Sequence, residues 1–254
     1  MDFGQPLIFV HVRSERSDQV LKSILKSFAV ASVLALSAGA GHAVTVSYQK
    51  PRDPFNGNGS AGVTVTSTAN PVATVGARAG GFFLEGNVFG NGVEDFVGWC
   101  LDIVHLLADG KDYVPTSSPF ATDPLTNLQI SNIGRLFDTA YAGLDFSKSS
   151  SDSAGFQLAL WEIIYEDYED QEKPFNLSLG NLTITGNSAA IAAGQAFLDN
   201  LDGKVTQRWN LVFLESRSNQ DLVTATPVPV PAAAGLLLLA LGGLAAVGRR
   251  RRTV

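Results

Sequence analysis

Two short apolar segments, one near each end, confine any globular body of this 254-residue chain to residues 44–226. The first segment, Phe28–Ala40, follows two lysines and ends in Gly41-His42-Ala43. A positively charged start, a short apolar stretch and small residues before a cleavage point are the three parts of a secretory signal peptide. We therefore expect residues 1–43 to direct the chain to the export machinery and signal peptidase to cut after Ala43.

Residues 1–19 do not suit the start of a signal peptide, because they carry Arg13, Glu15, Arg16 and Asp18. We therefore expect translation to start near Val20 or Leu21. The alternative is a long cytoplasmic extension followed by an uncleaved anchor.

The second apolar segment, residues 232–248, lies between a Pro-Val repeat and four arginines at positions Arg249, Arg250, Arg251 and Arg252. A helix needs roughly 17–25 apolar residues to cross the hydrocarbon core of a bilayer, and residues 232–248 just reach that length. Clustered arginines stay on the cytoplasmic side. The pattern predicts a transmembrane helix that stops at the arginines and leaves the body outside the bacterial membrane.

The order of these parts resembles the PEP-CTERM sorting signals of Gram-negative bacteria, over residues 227–254. The motif itself reads Val228, Pro229, Val230, Pro231, Ala232, without the Glu of the name-giving Pro-Glu-Pro. The resemblance implies a partner, exosortase, a membrane cysteine protease that cuts near the motif and transfers the protein onward. An ordinary tail anchor is the alternative.

The composition of the body excludes several classes of function. The terminal segments hold eight of the 18 basic residues but only three of the 24 acidic ones, so the body is more acidic than the net charge of −6 suggests. Such a body is a poor ligand for nucleic-acid phosphates. A single Cys excludes an intrachain disulfide and a zinc site built from several thiolates. The acidic run 166–172 lacks the spacing of a calcium loop, so we expect a solvated helix end, no metal and no cofactor.

Short β-branched runs precede segments of helical period, and strands return at the end. Runs of strands followed by runs of helices, without alternation of the two, indicate an α+β fold. We expect a β-rich, sandwich- or barrel-like body with about three helices. The predicted strands are 45–48, 63–66, 72–75, 80–84, 96–104, 205–215 and 221–226; the predicted helices are 128–142, 155–165 and 188–202, the second capped by Ser151-Asp152-Ser153; and 112–124 is predicted to be a loop.

Cys100 and Gln157 are the candidate functional residues. A lone thiol in an oxidising compartment marks a reactive group or is a small buried hydrophobe. Gln157 lies on an otherwise apolar helix face with Leu160 and Trp161, and burying its amide costs free energy unless the amide is bonded. Neighbouring backbone can satisfy the amide. Alternatively, the thiol can attack the Gln carbonyl and expel ammonia, which leaves an internal thioester.

The residues around this pair resemble the thioester domains of bacterial surface adhesins. Trp99-Cys100-Leu101-Asp102 resembles their aromatic–Cys–apolar–Asp strand, and the run from Phe156 to Glu162 resembles their Gln-x-Ala-apolar-Trp helix, although Phe156 replaces a residue that is often polar. The resemblance implies a Cys–Gln cross-link at a cleft between sheet and helices. Gln157 would acylate an amine on a surface target, and Cys100 would be the leaving group.

A thioester survives only where water is excluded. The bulky apolar neighbours of the pair would provide this by walling the site: Trp99, Leu101, Phe156, Leu160 and Trp161.

The sequence thus predicts a non-enzymatic, exported protein of the cell surface or extracellular matrix that attaches covalently to an amine-bearing target. One alternative is a non-covalent structural or matrix-binding surface protein whose Cys100 is merely buried. Another is a cysteine hydrolase that uses Cys100 and His105. We expect these two side chains on opposite faces of one strand, because their separation is odd.

Overall fold

The computed structural model describes residues 42–49, 53–55, 59–117, 119–120, 123–144, 150–166, 175–201 and 207–228. Nine strands and three α-helices make up this part of the chain. The strands are β1 (Val44–Tyr48), β2 (Ala61–Ser67), β3 (Ala73–Ala79), β4 (Phe82–Gly86), β5 (Glu94–Cys100), β6 (Lys111–Thr116), β7 (Leu182–Gly186), β8 (Trp209–Glu215) and β9 (Leu222–Pro227). The helices are α1 (Asn127–Ala140), α2 (Ser150–Tyr165) and α3 (Ser188–Asp199), and a 3₁₀ turn, Tyr141–Gly143, follows α1.

Six of the strands close into an antiparallel barrel, in the order β1-β4-β5-β9-β8-β6. Closure pairs the last strand with the first, so that β6 lies beside β1 with Tyr113 opposite Val44. Strand β5 lies between β4 and β9, and its C-terminal end pairs Trp99 with Val223 and Cys100 with Leu222. The last three residues of β5 are buried.

The other three strands form a separate antiparallel sheet in the order β3-β2-β7. The burial pattern of strand β2 shows most clearly why these residues form a sheet with one buried face. Its valines, Val63 and Val65, face the core, whereas Gly62 and Thr64 between them face solvent. Side chains alternate between the faces of a strand, so this pattern buries one face of the sheet.

The helices cover the sheets, and α2 is the most deeply placed. Every residue of α2 from Ser153 to Tyr165 is buried, because the helix packs against α1, α3 and strands β2, β3 and β7. Where α2 crosses α3, Gly155 meets Gly194, and an added Cβ on Gly155 would lie 2.7 Å from the Gly194 nitrogen. The two glycines therefore allow the helix backbones to approach closely.

The structure confirms the expectation of a β-rich body with three α-helices. The predicted strand 96–104 was wrong beyond Cys100, since the Asp102 carboxylate accepts the backbone N–H groups of Val104 and His105 and turns the chain. The predicted loop 112–124 contains most of β6, and β7 was not predicted. Strand β8 begins at Trp209, and α2 begins at Ser150, so the predicted cap residues form its first turn.

Most of the two terminal segments lies outside the described residues. The described part includes Ala43, which is exposed directly before β1, and Val228, whose N–H donates to the Arg208 carbonyl at 2.8 Å. The rest of the predicted signal peptide (residues 1–41), the motif from Pro229 to Ala232, the helix 232–248 and the four arginines are outside it, as is most of the acidic run 166–172. No helix in the described ranges combines the length and apolarity that a membrane span needs.

Candidate functional site: a buried cysteine and glutamine

Cys100 sits where the barrel loses one of its strand pairings. The β4–β5 ladder ends at the pair Phe82 and Gly98, and continuing its register would place Gly80 opposite Cys100. The chain bends away instead at Gly80, which has a φ of +154°, a conformation that side chains disfavour. The backbone N–H and C=O of Cys100 on this side therefore need partners from elsewhere.

Helix α2 bonds the backbone at this edge through two polar side chains one turn apart, Ser153 and Gln157. Ser153 Oγ accepts the N–H of Gly81 at 3.0 Å. Gln157 then takes the place of the missing strand. Its Oε1 accepts the Cys100 N–H at 2.9 Å, and its Nε2 donates to the Cys100 carbonyl at 2.7 Å. Buried polar groups are costly unless they are bonded, so this two-point contact fixes the Gln157 amide against Cys100.

Both residues are withdrawn from solvent, with relative exposures of 1% each. The Cys100 thiol donates to the backbone carbonyl of Asp102 at 2.7 Å. Burial raises the pKa of this thiol well above its usual value, the Asp102 carboxylate raises it further, and the side chains of Trp161 and Gln220 beside the sulfur act against this and lower it. The thiol is therefore neutral and directed at a carbonyl at physiological pH.

The five predicted wall residues are all buried, at 2% exposure or less. Trp99 and Phe156 pack with ring centroids 4.4 Å apart, and Phe156 meets Phe137 edge-on at 5.1 Å. Trp161 follows Gln157 by one turn of the same helix and is 2% exposed. Leu101 donates its N–H to the Asp221 carbonyl at 2.8 Å, which holds the chain after Cys100 against the start of β9. This packing surrounds the Cys100–Gln157 contact with buried apolar side chains.

Sequence reasoning missed the polar groups on the far side of the thiol. Asp102 Oδ2 accepts the N–H of Asp221 at 2.7 Å, and Gln220 Nε2 donates to the Asp102 carbonyl at 3.2 Å. Asp102 was named only as part of a motif, and Gln220 and Asp221 lie more than a hundred residues further along the chain. Only the pairing of β5 with β9 brings them together, and no local pattern signals it.

His105 is placed beside Asp102 and away from the thiol. The strand that was expected to carry both Cys100 and His105 ends at Cys100, and His105 lies in the following turn. Its Nδ1 is 3.3 Å from Asp102 Oδ1, and its side chain is half exposed. In the described part of the chain, no hydrogen bond joins the imidazole to the Cys100 thiol, which donates to the Asp102 carbonyl instead. The described residues therefore show no Cys–His hydrogen bond of the kind that a cysteine hydrolase uses.

Comparison with known proteins gave matches among solved structures only. No protein-family model matches the chain, and no curated protein matches it. The chain is similar to the N-terminal domain of the Streptococcus pyogenes pilus tip adhesin Cpa, with a TM-score of 0.37 and 15% identity over 74% of this chain and 93% of that one. It is also similar to the N-terminal thioester domain of a surface protein from Clostridium perfringens, with a TM-score of 0.35 and 10% identity over 66% of this chain and 100% of that one.

Proposed function

We propose that Cys100 and Gln157 form an internal thioester through which the protein attaches covalently to amines. The observation that supports this is the two-point contact of the Gln157 amide with Cys100. It holds the side-chain carbonyl next to the residue that carries the thiol, and both residues are buried.

The bond would form without a cofactor. The Cys100 sulfur adds to Gln157 Cδ, and the Cys100 N–H, which already donates to Oε1 at 2.9 Å, stabilises the negative charge that develops on that oxygen. The C–N bond then breaks, the thiol proton leaves with the nitrogen, and ammonia is released. The products are one thioester and one ammonia, with no oxidant or reductant required.

A thioester is more reactive than an amide because a thiolate leaves more readily than an amide anion. An amine that reaches Gln157 Cδ forms a stable amide bond and frees the thiol. The protein would thereby be attached to the amine, once per molecule and without turnover, so this is attachment and not enzymatic catalysis.

The test is the intact mass of the purified body together with incubation in methylamine. We expect the fresh protein to lack one ammonia relative to its encoded mass, and we expect methylamine to add at Gln157 and free the Cys100 thiol for labelling. Cys100→Ala and Gln157→Glu remove the thiol and the amide leaving group and should each abolish both results.

A matched control is Gln195→Glu, the same chemical change at a half-buried amide on α3 that accepts the Leu177 N–H; it should retain both. An encoded mass, a fully titratable thiol and no methylamine adduct would defeat the proposal.

The second candidate function is a non-covalent surface or matrix protein with a structural Cys100. One observation favours it: every polar atom of the Gln157 amide is already bonded to the Cys100 backbone, so the site is satisfied without chemistry. The same mass measurement decides between the two, because only the thioester loses ammonia.

For both candidates we propose export and sorting by exosortase, on the sequence of the terminal segments alone. Mature protein should lack residues up to Ala43 and be held at the membrane, at least transiently, through residues 232–248. Replacing the four arginines at 249–252 with Asn should impair sorting in a host that has exosortase, whereas unchanged processing and location would remove the cluster from the sorting signal. Intact precursor in the cytoplasm of that host would defeat the export proposal.

A further inference from the structure

An open cavity of about 400 Å³ lies beside the candidate thioester. Asp102 links the two: its backbone carbonyl accepts the Cys100 thiol, and its side chain lines the cavity. Tyr165, whose pKa is raised by burial first and then by the nearby Asp102 and Cys100, is also in the wall. The residue that accepts the thiol hydrogen bond is therefore also a wall residue of the cavity.

The charge of this cavity is one-sided. Three carboxylates line it, Asp102, Asp221 and Asp123, and among the described residues of its wall there is no Lys or Arg. His105 at the wall lies 3.3 Å from Asp102 and also acts on Asp221, whose pKa it lowers. The remaining surface is largely apolar, with Ile164 and Leu125 among its members.

Asp221 is the residue that most needs a cation. Its side chain is only 5% exposed, and Oδ1 accepts the Ser216 N–H at 2.7 Å, whereas Oδ2 accepts no hydrogen bond from the described residues. Burial raises the pKa of Asp221 to about 6, and the neighbouring Asp102 contributes to the rise. The Asp102 carboxylate accepts the Asp221 N–H, so two buried carboxyl groups lie close together, and His105 is the only basic side chain among the described wall residues.

In the described part of the chain, no three acidic, His or Cys side chains converge as a metal ion would require. A cation with an apolar stem fits the combination better, since its charge can meet the carboxylates while its methylene groups contact Ile164 and Leu125. Clefts lined by charge of one sign raise the local concentration of the opposite charge and speed association roughly 10- to 1,000-fold.

We propose that this cavity admits the acceptor to the thioester, and that Asp221 and Asp123 select acceptors with an additional positive charge on a slender alkyl stem over neutral amines. This inference rests on the thioester proposed above. In the step that follows entry, an unprotonated amine nitrogen attacks Gln157 Cδ, the C–N bond forms and the C–S bond breaks. The Cys100 sulfur leaves as a thiolate and takes up the proton that the nitrogen loses.

The experiment compares two probes that differ in one charge: cadaverine, an alkyl diamine, and aminopentanol, in which a hydroxyl replaces one amine. Rates of acylation are measured by intact mass and divided by the rates of the same amines with a small thioester in solution, which corrects for their basicity. We expect wild-type protein to prefer cadaverine about tenfold, and we expect that preference to shrink as salt screens the charges.

The variants assign the preference to the cavity. Asp221→Asn keeps the oxygen that accepts the Ser216 N–H and removes the charge, so it should bring the ratio close to one while aminopentanol still reacts. Asp123→Asn at the exposed mouth provides a second variant that does not disturb the core. Asp95→Asn removes the same charge from an exposed position on β5 outside this cavity, and it should keep the wild-type ratio.

A normalised ratio near one in wild-type protein, or a preference that both Asp221→Asn and Asp123→Asn retain, overturns the inference and leaves the thioester standing. A protein that loses no ammonia and reacts with neither probe shows instead that the proposed function is wrong, and the inference falls with it.

Discussion

Two of the polar side chains that helix α2 buries, Gln157 and Glu162, lie five residues apart and have different surroundings. Gln157 has partners for both of its polar atoms on a single residue, Cys100. Glu162 is fully buried as well. Its Oε1 accepts the N–H of Asn176 at 2.8 Å, whereas its Oε2 has no partner among the described residues. The neutral amide of Gln157 is fully bonded as it stands, whereas the buried carboxyl group of Glu162 is favourable only while it carries a proton.

Gln157 and Glu162 therefore have different roles in the fold. Gln157 replaces a strand partner at the end of β5, so its geometry is fixed from both sides. Glu162 and Glu166 hold the segment after α2, with Glu166 Oε2 accepting the N–H groups of Asn181 and Leu182. Gln157, whose donor and acceptor are both bonded, is the residue next to the thiol. Glu162, with one carboxyl oxygen unbonded among the described residues, makes stability depend on pH.

The largest effect is expected from removing the Gln157 side chain. In a Cys100→Ala background, where no cross-link can form, Gln157→Ala leaves the N–H and the C=O of residue 100 buried without partners. Each unsatisfied group costs about 1–3 kcal/mol, and the cavity adds to this, so we expect a loss of about 3–5 kcal/mol in the free energy of unfolding, measured with urea.

Gln195→Ala in the same background is the control. Its half-buried amide also bonds the backbone, to Leu177 and Phe175, but lies nearer to solvent, so water can replace the lost bonds. We expect about 1–2 kcal/mol there. An equal loss in the free energy of unfolding at both positions would mean that the contact of Gln157 with residue 100 stabilises the fold no more than the contact of Gln195 does.

Glu162 should make stability fall as pH rises. Burial, with a further contribution from Glu166, raises the pKa of Glu162 from 4.5 to about 8. The folded state therefore binds the proton more tightly than the unfolded state, so the stabilisation is complete below about pH 4.5 and is lost as pH rises to about 8. We expect the difference in unfolding free energy between wild type and Glu162→Gln to change by about 2–4 kcal/mol over this range.

Glu85→Gln on β4, where the side chain is partly exposed, is the matched change of charge for this comparison. Parallel pH profiles for wild type and Glu162→Gln would show that the buried carboxyl is compensated by a group that its surroundings do not reveal.

The fold could be predicted where burial follows a local period. The alternation in β2 and the apolar spacing of α1 are of this kind, and the capping box of α1, in which Thr126 and Gln129 bond each other's backbone, is a local signal too. Strand β6 was missed because Pro115 and its polar neighbours are typical of a loop. It is a strand because β1 and β8 flank it, which is a property of the barrel and not of the segment.

The site could be predicted in part for the same reason. Cys100 and Gln157 each stand out locally, as a lone thiol and as an amide on an apolar helix. That Gln157 occupies the position of a strand partner depends on the bend at Gly80, and the carboxylates beside the thiol depend on the β5–β9 pairing. Neither is encoded within a short stretch of sequence.

Gly155→Ala tests whether the crossing of α2 and α3 positions Gln157, two residues further along. The new Cβ would lie 2.8 Å from Ala193 Cβ as well as against the Gly194 backbone, and overpacking of this kind costs about 1–3 kcal/mol. Because the helix must shift to relieve it, we also expect the yield of ammonia loss in the intact mass to fall.

Gly134→Ala on α1 is the matched change, since its Cβ would meet nothing within 4 Å. It should be neutral or stabilise by up to about 1 kcal/mol, because Ala favours the helix, and it should leave the ammonia loss complete. A Gly155→Ala protein with normal stability and a complete loss of ammonia would show that the crossing tolerates a wider spacing and does not set the position of the amide.

The smallest effect is expected from His105→Ala, and it separates the attachment reaction from hydrolysis. The imidazole is half exposed and contacts the Asp102 carboxylate at 3.3 Å, and exposed ion pairs contribute about 0–1 kcal/mol. The hydrogen bonds that Asp102 accepts come from backbone N–H groups, which the substitution keeps. Stability should therefore change by less than about 1 kcal/mol, and the rate of methylamine addition should stay within about twofold, since 0.4 kcal/mol corresponds to about that factor.

If His105 served as the base of a cysteine nucleophile, its loss would lower the rate of reaction at Cys100 by roughly 100- to 10,000-fold. A drop of that size with unchanged stability would show that His105 acts as a base in the reaction at Cys100, and its absence would leave Gln157 as the only partner that the reaction needs.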